Sequence, residues 1–95
     1  MTYRNREGQQ IGFREWADLW HDMTYRVVAE DQTKGVMVRT VWEGMPGEVG
    51  TMFATGLSHD DGASWKDAAT DARTEADALA QHHEVLGRLS KHPTA

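Results

Sequence analysis

The residues in this chain that are best suited to chemistry are its histidines, two of which are adjacent. His82 and His83 are followed by Glu84. A helical zinc-protease site uses the pattern H-E-x-x-H, because two imidazoles one turn apart face the same metal ion. Gly87 stands where a pattern that begins at His83 needs its second histidine. Adjacent helical residues diverge by about 100°, so we expect one histidine at the edge of the core and the other in water.

Acidic and hydroxyl side chains offer no better site. Asp60, Asp61 and Asp67 lack the alternating ligands and the closing glutamate of an EF-hand calcium loop. We find no serine at a nucleophile elbow and no glycine-rich phosphate loop that leads into a helix. We therefore predict that the chain is not an enzyme and that it uses no cofactor and no metal ion. A small enzyme or a metal-binding protein is the least favoured alternative.

One segment matches a known sequence pattern at every defined position. Residues 58–65 read SHDDGASW, which fits the Asp box, S-x-D-x-G-x-[ST]-W. In proteins that carry this box, such as sialidases, it closes a β-hairpin away from the catalytic centre. The aspartate ties the turn through backbone amides, and the glycine takes a positive φ. We interpret the segment as a structural signal for a fourth strand starting near Ala63 or Ser64, and we infer no glycosidase activity from it. The alternative is that the match is accidental.

Hydrophobic periodicity divides the chain into helices and hairpins of a single domain. Phe13, Trp16, Ala17 and Trp20 are spaced as one face of a helix. Several later segments alternate with a period of two, as strands do. The predicted elements, in order, are a helix at about 12–22, a hairpin at about 24–43, an irregular connection at 44–50, a hairpin at about 51–68 and a helix at about 70–90.

The last helix is predicted from apolar residues spaced by three or four positions, which share one face. They are Ala72, Ala76, Leu79, His83 and Leu86. Thr70 or Asp67 is the expected N-cap. In the first hairpin, the residues at 31–35 are expected to form a short polar loop between its two strands.

These elements predict an α+β fold. We expect a three- to four-stranded antiparallel sheet of consecutive hairpins with two helices packed on one face, because a sheet with one apolar face must bury that face. In one register the opposite face carries an apolar patch ringed by arginines, which is typical of a partner or dimer surface. Its residues are Arg26, Val28, Met37, Arg39 and Val41.

Composition limits the classes of partner. The chain has 95 residues, no cysteine and a formal net charge of −5. We expect no nucleic-acid binding, since dense Lys/Arg stretches are missing. No apolar run reaches the roughly 20 residues of a membrane helix, so we expect no membrane partner and a cytoplasmic location in the host cell. Six acidic residues against two basic ones between Asp60 and Asp77 indicate a solvated helix face or a surface for a basic partner.

Four short stretches carry a resemblance that covers most of the chain. They are GFREWADLW at 12–20, YRVVA at 25–29, VMVRTVW at 36–42 and TEADALAQH at 74–82. In their order they resemble a group of small uncharacterised proteins of actinobacteria and their bacteriophages. The chain departs from that group around the Asp-box hairpin and at the start of the last helix. The group has no established activity, so the resemblance implies a phage or prophage accessory protein without implying a mechanism.

We therefore expect a non-enzymatic accessory protein that binds another protein, of the host or of the phage. A homodimer is a further possibility for the same surface. The alternative function is a virion or assembly component that acts by self-association. The candidate binding residues lie on the exposed sheet face and on the acidic last helix: Arg26, Val28, Met37, Arg39, Val41, Asp71 and Glu75.

Overall fold

The computed structural model describes residues 2–45 and 50–91. Residues 46–49 of the predicted connection, and His92, lie outside the described residues. In chain order the elements are β1 (Tyr3–Arg4), β2 (Gln10–Ile11), α1 (Phe13–Trp20), α2 (Met23–Arg26), β3 (Val27–Thr33), β4 (Val36–Trp42), β5 (Phe53–Ser58), β6 (Lys66–Ala69) and α3 (Glu75–Lys91). The predicted α+β class is confirmed.

The main sheet has four antiparallel strands in the order β3-β4-β5-β6, and β1 pairs with β2 in a separate ribbon. The connection between β3 and β4 is shorter than the predicted polar loop, because β3 continues to Thr33. Only Lys34 and Gly35 connect them, with φ angles of 51° and 79°. Two positive φ angles fit a type I′ turn, whose twist matches that of the flanking strands.

The predicted strand at 24–31 is wrong at its first residues, which form the helical turn α2. Asp22 caps this turn, accepting a hydrogen bond from the Tyr25 amide at 3.2 Å. Arg26 therefore belongs to a helix and not to a strand. The pairing of β3 with β4 then shifts between Val27 and Ala29. This bulge turns Val28 toward the core, where it packs against the buried cluster.

The last helix begins later than predicted and is rotated. Thr74 caps it by accepting a hydrogen bond from the Asp77 amide at 3.1 Å, so neither Thr70 nor Asp67 is the cap. Its buried residues are Ala78, His82 and Val85. Two residues of the predicted apolar stripe, Ala76 and His83, are exposed. The helix lies across β3, β4 and β5.

The core is centred on Trp42 at the end of β4. Its buried members are Trp42, Met52, Phe53, Ala72 and Ala78. The Trp42 indole donates to the Arg4 carbonyl at 2.8 Å, which ties the β1–β2 ribbon to the sheet. The helix α1 packs on β1 and α2, and its Trp16 joins the sheet end by donating to the Glu43 carbonyl at 2.8 Å. Both helices were expected on one face of the sheet. The helix α3 covers that face, whereas α1 packs on β1 and α2.

Within residues 2–45 and 50–91, no helix combines the length and the apolar character that crossing a bilayer requires.

Candidate functional site

The one histidine of α3 that is buried joins a chain of polar side chains. His82 Nδ1 lies 2.8 Å from Thr40 Oγ1, which lies 2.7 Å from Thr55 Oγ1. On the other side of the ring, His82 Nε2 lies 2.8 Å from an Asp31 carboxylate oxygen. His82, Thr40 and Thr55 are fully buried, whereas half of the Asp31 side chain is exposed. His83 points to solvent, as the 100° divergence of adjacent residues requires.

The direction of these bonds follows from the donors available. A carboxylate only accepts, so Nε2 carries the proton that it donates to Asp31. In the neutral ring Nδ1 then accepts from the Thr40 hydroxyl, and Thr40 accepts from Thr55. Every polar atom in this chain of bonds has a partner, which is the condition for burying it at low cost.

The order aspartate, histidine, hydroxyl is also the bonding order of a hydrolase triad. A triad needs its hydroxyl within reach of a substrate carbonyl, and Thr40 has no solvent-accessible surface. The arrangement therefore fastens α3 to β3, β4 and β5. Across the two described ranges, no three His, Asp or Glu side chains converge as metal ligands would.

The Asp-box segment forms the turn that its pattern predicts. Asp60 accepts hydrogen bonds from the Ser58 hydroxyl at 2.8 Å and from the Ser64 amide at 2.9 Å. Gly62 has a φ of 91°. The hydrogen bonds from Ser64 and Ser58 lower the pKa of Asp60 from 3.8 to about 2. The turn closes the β5–β6 hairpin, and the fourth strand starts at Lys66, just after the predicted position.

The same turn places Trp65 on the sheet face opposite α3, which we call the open face. Trp65 Nε1 donates to the Gly62 carbonyl at 3.1 Å. The ring lies so close to Gly56 that a Cβ there would approach it to 3.4 Å. The Arg39 guanidinium lies 4.5 Å from the Trp65 ring centre and pairs with Glu30 on the next strand at 2.5 Å. Gly56, Arg39 and Trp65 therefore form one continuous surface, which we call the wall.

Beside this wall, the open face contains a groove of about 190 Å³, referred to below simply as the groove. Its floor is apolar, because it is formed by Val41 and Ala54, which are opposite each other on β4 and β5. The residues that line it are Met23, Arg26, Arg39, Val41, Glu43, Ala54, Gly56, Trp65 and Asp67. Three of the predicted binding residues, Arg26, Arg39 and Val41, are thus brought together.

The charged groups of the groove are partly withdrawn from water. Burial raises the pKa of Glu43, and the nearby Asp67 raises it further, while Arg26 opposes both effects. Burial also lowers the pKa of Arg26. The guanidinium of Arg26 lies 3.6 Å from the Trp20 ring centre and donates to the Trp42 carbonyl at 3.2 Å. Glu43 therefore faces the groove as a carboxylate that the protein only partly compensates.

A row of aromatic rings runs along α1 and ends at Trp20, whose ring contacts the groove residue Arg26. Trp16 and Trp20 have ring centres 5.1 Å apart, and Phe13 lies 5.9 Å from Trp16. Phe13 is 62% exposed and Met23, beside the groove, is 48% exposed. Of these two, Met23 lines the groove, and a large apolar side chain that stays in water beside a groove is typical of binding surfaces.

The other predicted binding residues lie elsewhere. Val28 is on the core side of the bulge. Met37 is on the open face, but next to the Asp-box glycine. Asp71 precedes α3 and accepts a hydrogen bond from Gln81, and Glu75 pairs with Arg6 at 2.7 Å. The acidic run is therefore divided between a turn, a strand and a helix start, and the expected acidic helix face is wrong.

Sequence reasoning missed six residues of the groove, among them Glu43, Trp65 and Asp67. Glu43 follows Val41 by two positions, so continued alternation along β4 indicates the open face for it. The positions of Trp65 and Asp67 depend on the β5–β6 register, which shifts between Thr55 and Gly56. No periodic signal in the sequence announces that shift.

Comparison with protein-family models, with curated proteins and with solved structures found no match to this chain.

Proposed function

We propose that this protein acts by binding another protein through the groove on the open face of its sheet. The observation that carries the proposal is the groove itself: an apolar floor bordered by charged residues, several of them half-buried, with exposed Met23 beside it. Interfaces are typically built from an aromatic or apolar centre with a polar rim. We propose that the chain comes from an actinobacterial phage or prophage, so its partner is a host protein or a phage protein.

Two features of the groove support binding over a purely structural role. Glu43 is partly desolvated and forms no ion pair among the described residues, and the attraction of Arg26 does not offset its desolvation. This lowers stability and is tolerated where a ligand supplies the missing charge. The wall formed by Arg39, Trp65 and Gly56 is held by an ion pair and by the Asp-box turn, so it is rigid before a partner arrives.

The test is selection from a displayed random peptide library against the immobilised full chain. Selected peptides are then measured against Val41→Gln, which places a polar side chain on the groove floor. We expect Val41→Gln to weaken binding at least about tenfold, which corresponds to about 1.4 kcal/mol. Peptides that bind wild type and Val41→Gln equally would show that the groove is not the binding site.

Ala80→Gln is the matched control, because Ala80 is exposed on α3 and the change ends in the same carboxamide. Binding by this variant should equal that of wild type. Thermal melts of both variants establish that they are folded. Arg39 is a poor choice for this test, because it pairs with Glu30 and its loss would also disturb the Trp65 wall.

The alternative function is self-association, as in a virion component. Both sheet edges offer strands for pairing, but β3 exposes Glu30, Asp31 and Gln32, and β6 exposes Lys66 and Asp67. Charged edges oppose strand addition, so we favour the groove. Light scattering over a concentration series separates the two functions, since growth into large ordered assemblies would support self-association.

A further inference from the structure

The two carboxylates of the groove stand out because the arginines around them are already engaged. Arg39 pairs with Glu30, and Arg26 is held by the Trp42 carbonyl and the Trp20 ring. Within residues 2–45 and 50–91, no Lys, Arg or His lies within ion-pair distance of Glu43 or Asp67. The groove therefore contains two acidic groups that form no ion pair, and the longer-range attraction of Arg26 only partly offsets the desolvation of Glu43.

The positions of the two acids make them a pair. Asp67 faces Gly56 across the β5–β6 ladder, and Gly56 faces Arg39 across the β4–β5 ladder. Glu43 directly follows β4, two positions after Val41, so both carboxylates border the floor made by Val41 and Ala54. Desolvation of Glu43 and, to a smaller extent, repulsion by Asp67 disfavour the negative charge of Glu43, and the attraction of Arg26 does not offset them. A cation entering the groove would relieve both costs.

The shape of the groove decides what kind of cation fits. A small hydrated ion needs several oxygen ligands around it, and here the floor between the acids is apolar. A basic side chain instead has an aliphatic stem for the floor and a charged head for the carboxylates. Met23, exposed at the rim, offers an adaptable apolar contact for such a stem.

We propose that the partner inserts a lysine or arginine side chain into the groove, with its stem along Val41 and Ala54 and its charged head at Glu43 and Asp67. This inference rests on the proposed function and names the chemistry that the groove recognises. A second copy of this chain could bring such a residue, so the test includes that arrangement as an outcome.

The test starts from peptides selected on the full chain whose binding Val41→Gln weakens. Each lysine or arginine in them is replaced in turn by norleucine or citrulline, which keep the length of the side chain and remove its charge. We expect one such replacement to weaken binding at least about tenfold, the usual scale of a charged hydrogen-bonded contact. Raising the salt concentration should weaken the parent peptide more than the neutral one.

Variants of the protein provide the complementary measurement. Glu43→Gln and Asp67→Asn should each weaken the parent peptide and leave the neutral peptide unchanged. Asp77→Asn is the control, since it removes the same charge from an exposed position on α3, and it should change neither.

The outcomes separate the two proposals. Groove-dependent peptides that tolerate every neutral replacement would overturn the basic-side-chain inference and leave the protein-binding function standing. Peptides that bind away from the groove, or a selection that yields none, would overturn both. A concentration-dependent dimer that Glu43→Gln dissociates and Asp77→Asn does not would show that the basic side chain comes from a second copy, which would contradict a separate partner.

Discussion

Thr40 on β4 and His82 on α3 are joined by a hydrogen bond of 2.8 Å between Oγ1 and Nδ1, and neither side chain has accessible surface. Thr40→Val keeps the shape of the side chain and removes the hydroxyl. The His82 ring nitrogen and the Thr55 hydroxyl then each lose a partner inside the core. We expect the free energy of unfolding to fall by about 1–3 kcal/mol, measured by urea denaturation.

Thr70→Val is the control for this substitution, because Thr70 is exposed. Its effect should stay within about 0.5 kcal/mol. Equal effects of the two variants would show that the buried bonds do not hold α3 to the sheet.

Asp60 makes the free energy of unfolding depend on pH in the acidic range. Its pKa is lowered from 3.8 to about 2 in the folded chain, chiefly by the Ser64 hydrogen bonds. Above the unfolded value both states are ionised and the full contribution is present. As the pH falls from about 4 to about 2, the unfolded state takes up the proton first and the folded state loses this contribution. The urea midpoint should therefore decline over that interval.

Asp60→Asn removes this titration, so its urea midpoint should decline less between about pH 4 and about pH 2 than that of wild type. The exposed neighbour Asp61 supplies the matched variant, Asp61→Asn, which tolerates the positive φ of 62°. It should retain the wild-type decline. A carboxyl titration of Asp60 by NMR near the ordinary value of 3.8 would contradict the assignment.

The sheet and the Asp-box turn could be predicted because their signals are local. Alternation along β4 sets Thr40 and Trp42 opposite the predicted open-face residues Arg39 and Val41, and both are buried. The box residues act on backbone within seven positions of one another. The rotation of α3 could not be predicted in the same way. Alanines on several sides of this helix leave two possible stripes, one through His83 and one through His82.

The buried hydroxyl of Thr40 decides between those stripes, because it needs a polar partner and His82 provides one. Only a third of the residues that line the groove were predicted, for a related reason. Its β4 residues follow from alternation, whereas the bulge at Val28 and the β5–β6 register shift arise from tertiary packing. Neither irregularity has a period that a sequence can display.

Two glycines should respond to alanine in opposite ways. Gly44 has a φ of 74°, and a Cβ there would lie 2.4 Å from the Trp42 ring and 2.7 Å from the Arg4 carbonyl. Gly44→Ala should lower the free energy of unfolding by about 3 kcal/mol, from steric overlap and an unfavourable backbone region. Urea denaturation measures the effect.

Gly87 lies within α3, and a Cβ there meets nothing within 4 Å. Gly87→Ala should therefore raise the free energy of unfolding by about 0.5–1 kcal/mol, since alanine restricts the unfolded chain and favours the helix. Destabilisation by Gly87→Ala would mean that α3 is packed differently on that side.

Glu43 should lower the stability of the free protein at neutral pH. Burial, with a smaller contribution from Asp67, raises its pKa above the ordinary value of 4.5. Below the ordinary value the carboxyl is protonated in both states and carries no penalty. As the pH rises through the raised value, the folded state must ionise a desolvated group and loses stability. Glu43→Gln should therefore be more stable than wild type at about pH 7, and the difference should vanish near pH 3.

Asp77→Asn removes an exposed charge and should show no comparable pH-dependent gain. Urea denaturation of the three proteins at several pH values makes the comparison. A Glu43→Gln variant that is less stable than wild type at about pH 7 would mean that the attraction of Arg26 outweighs desolvation. The carboxylate would then be compensated within the fold, and the groove would have no need of a cation from a partner.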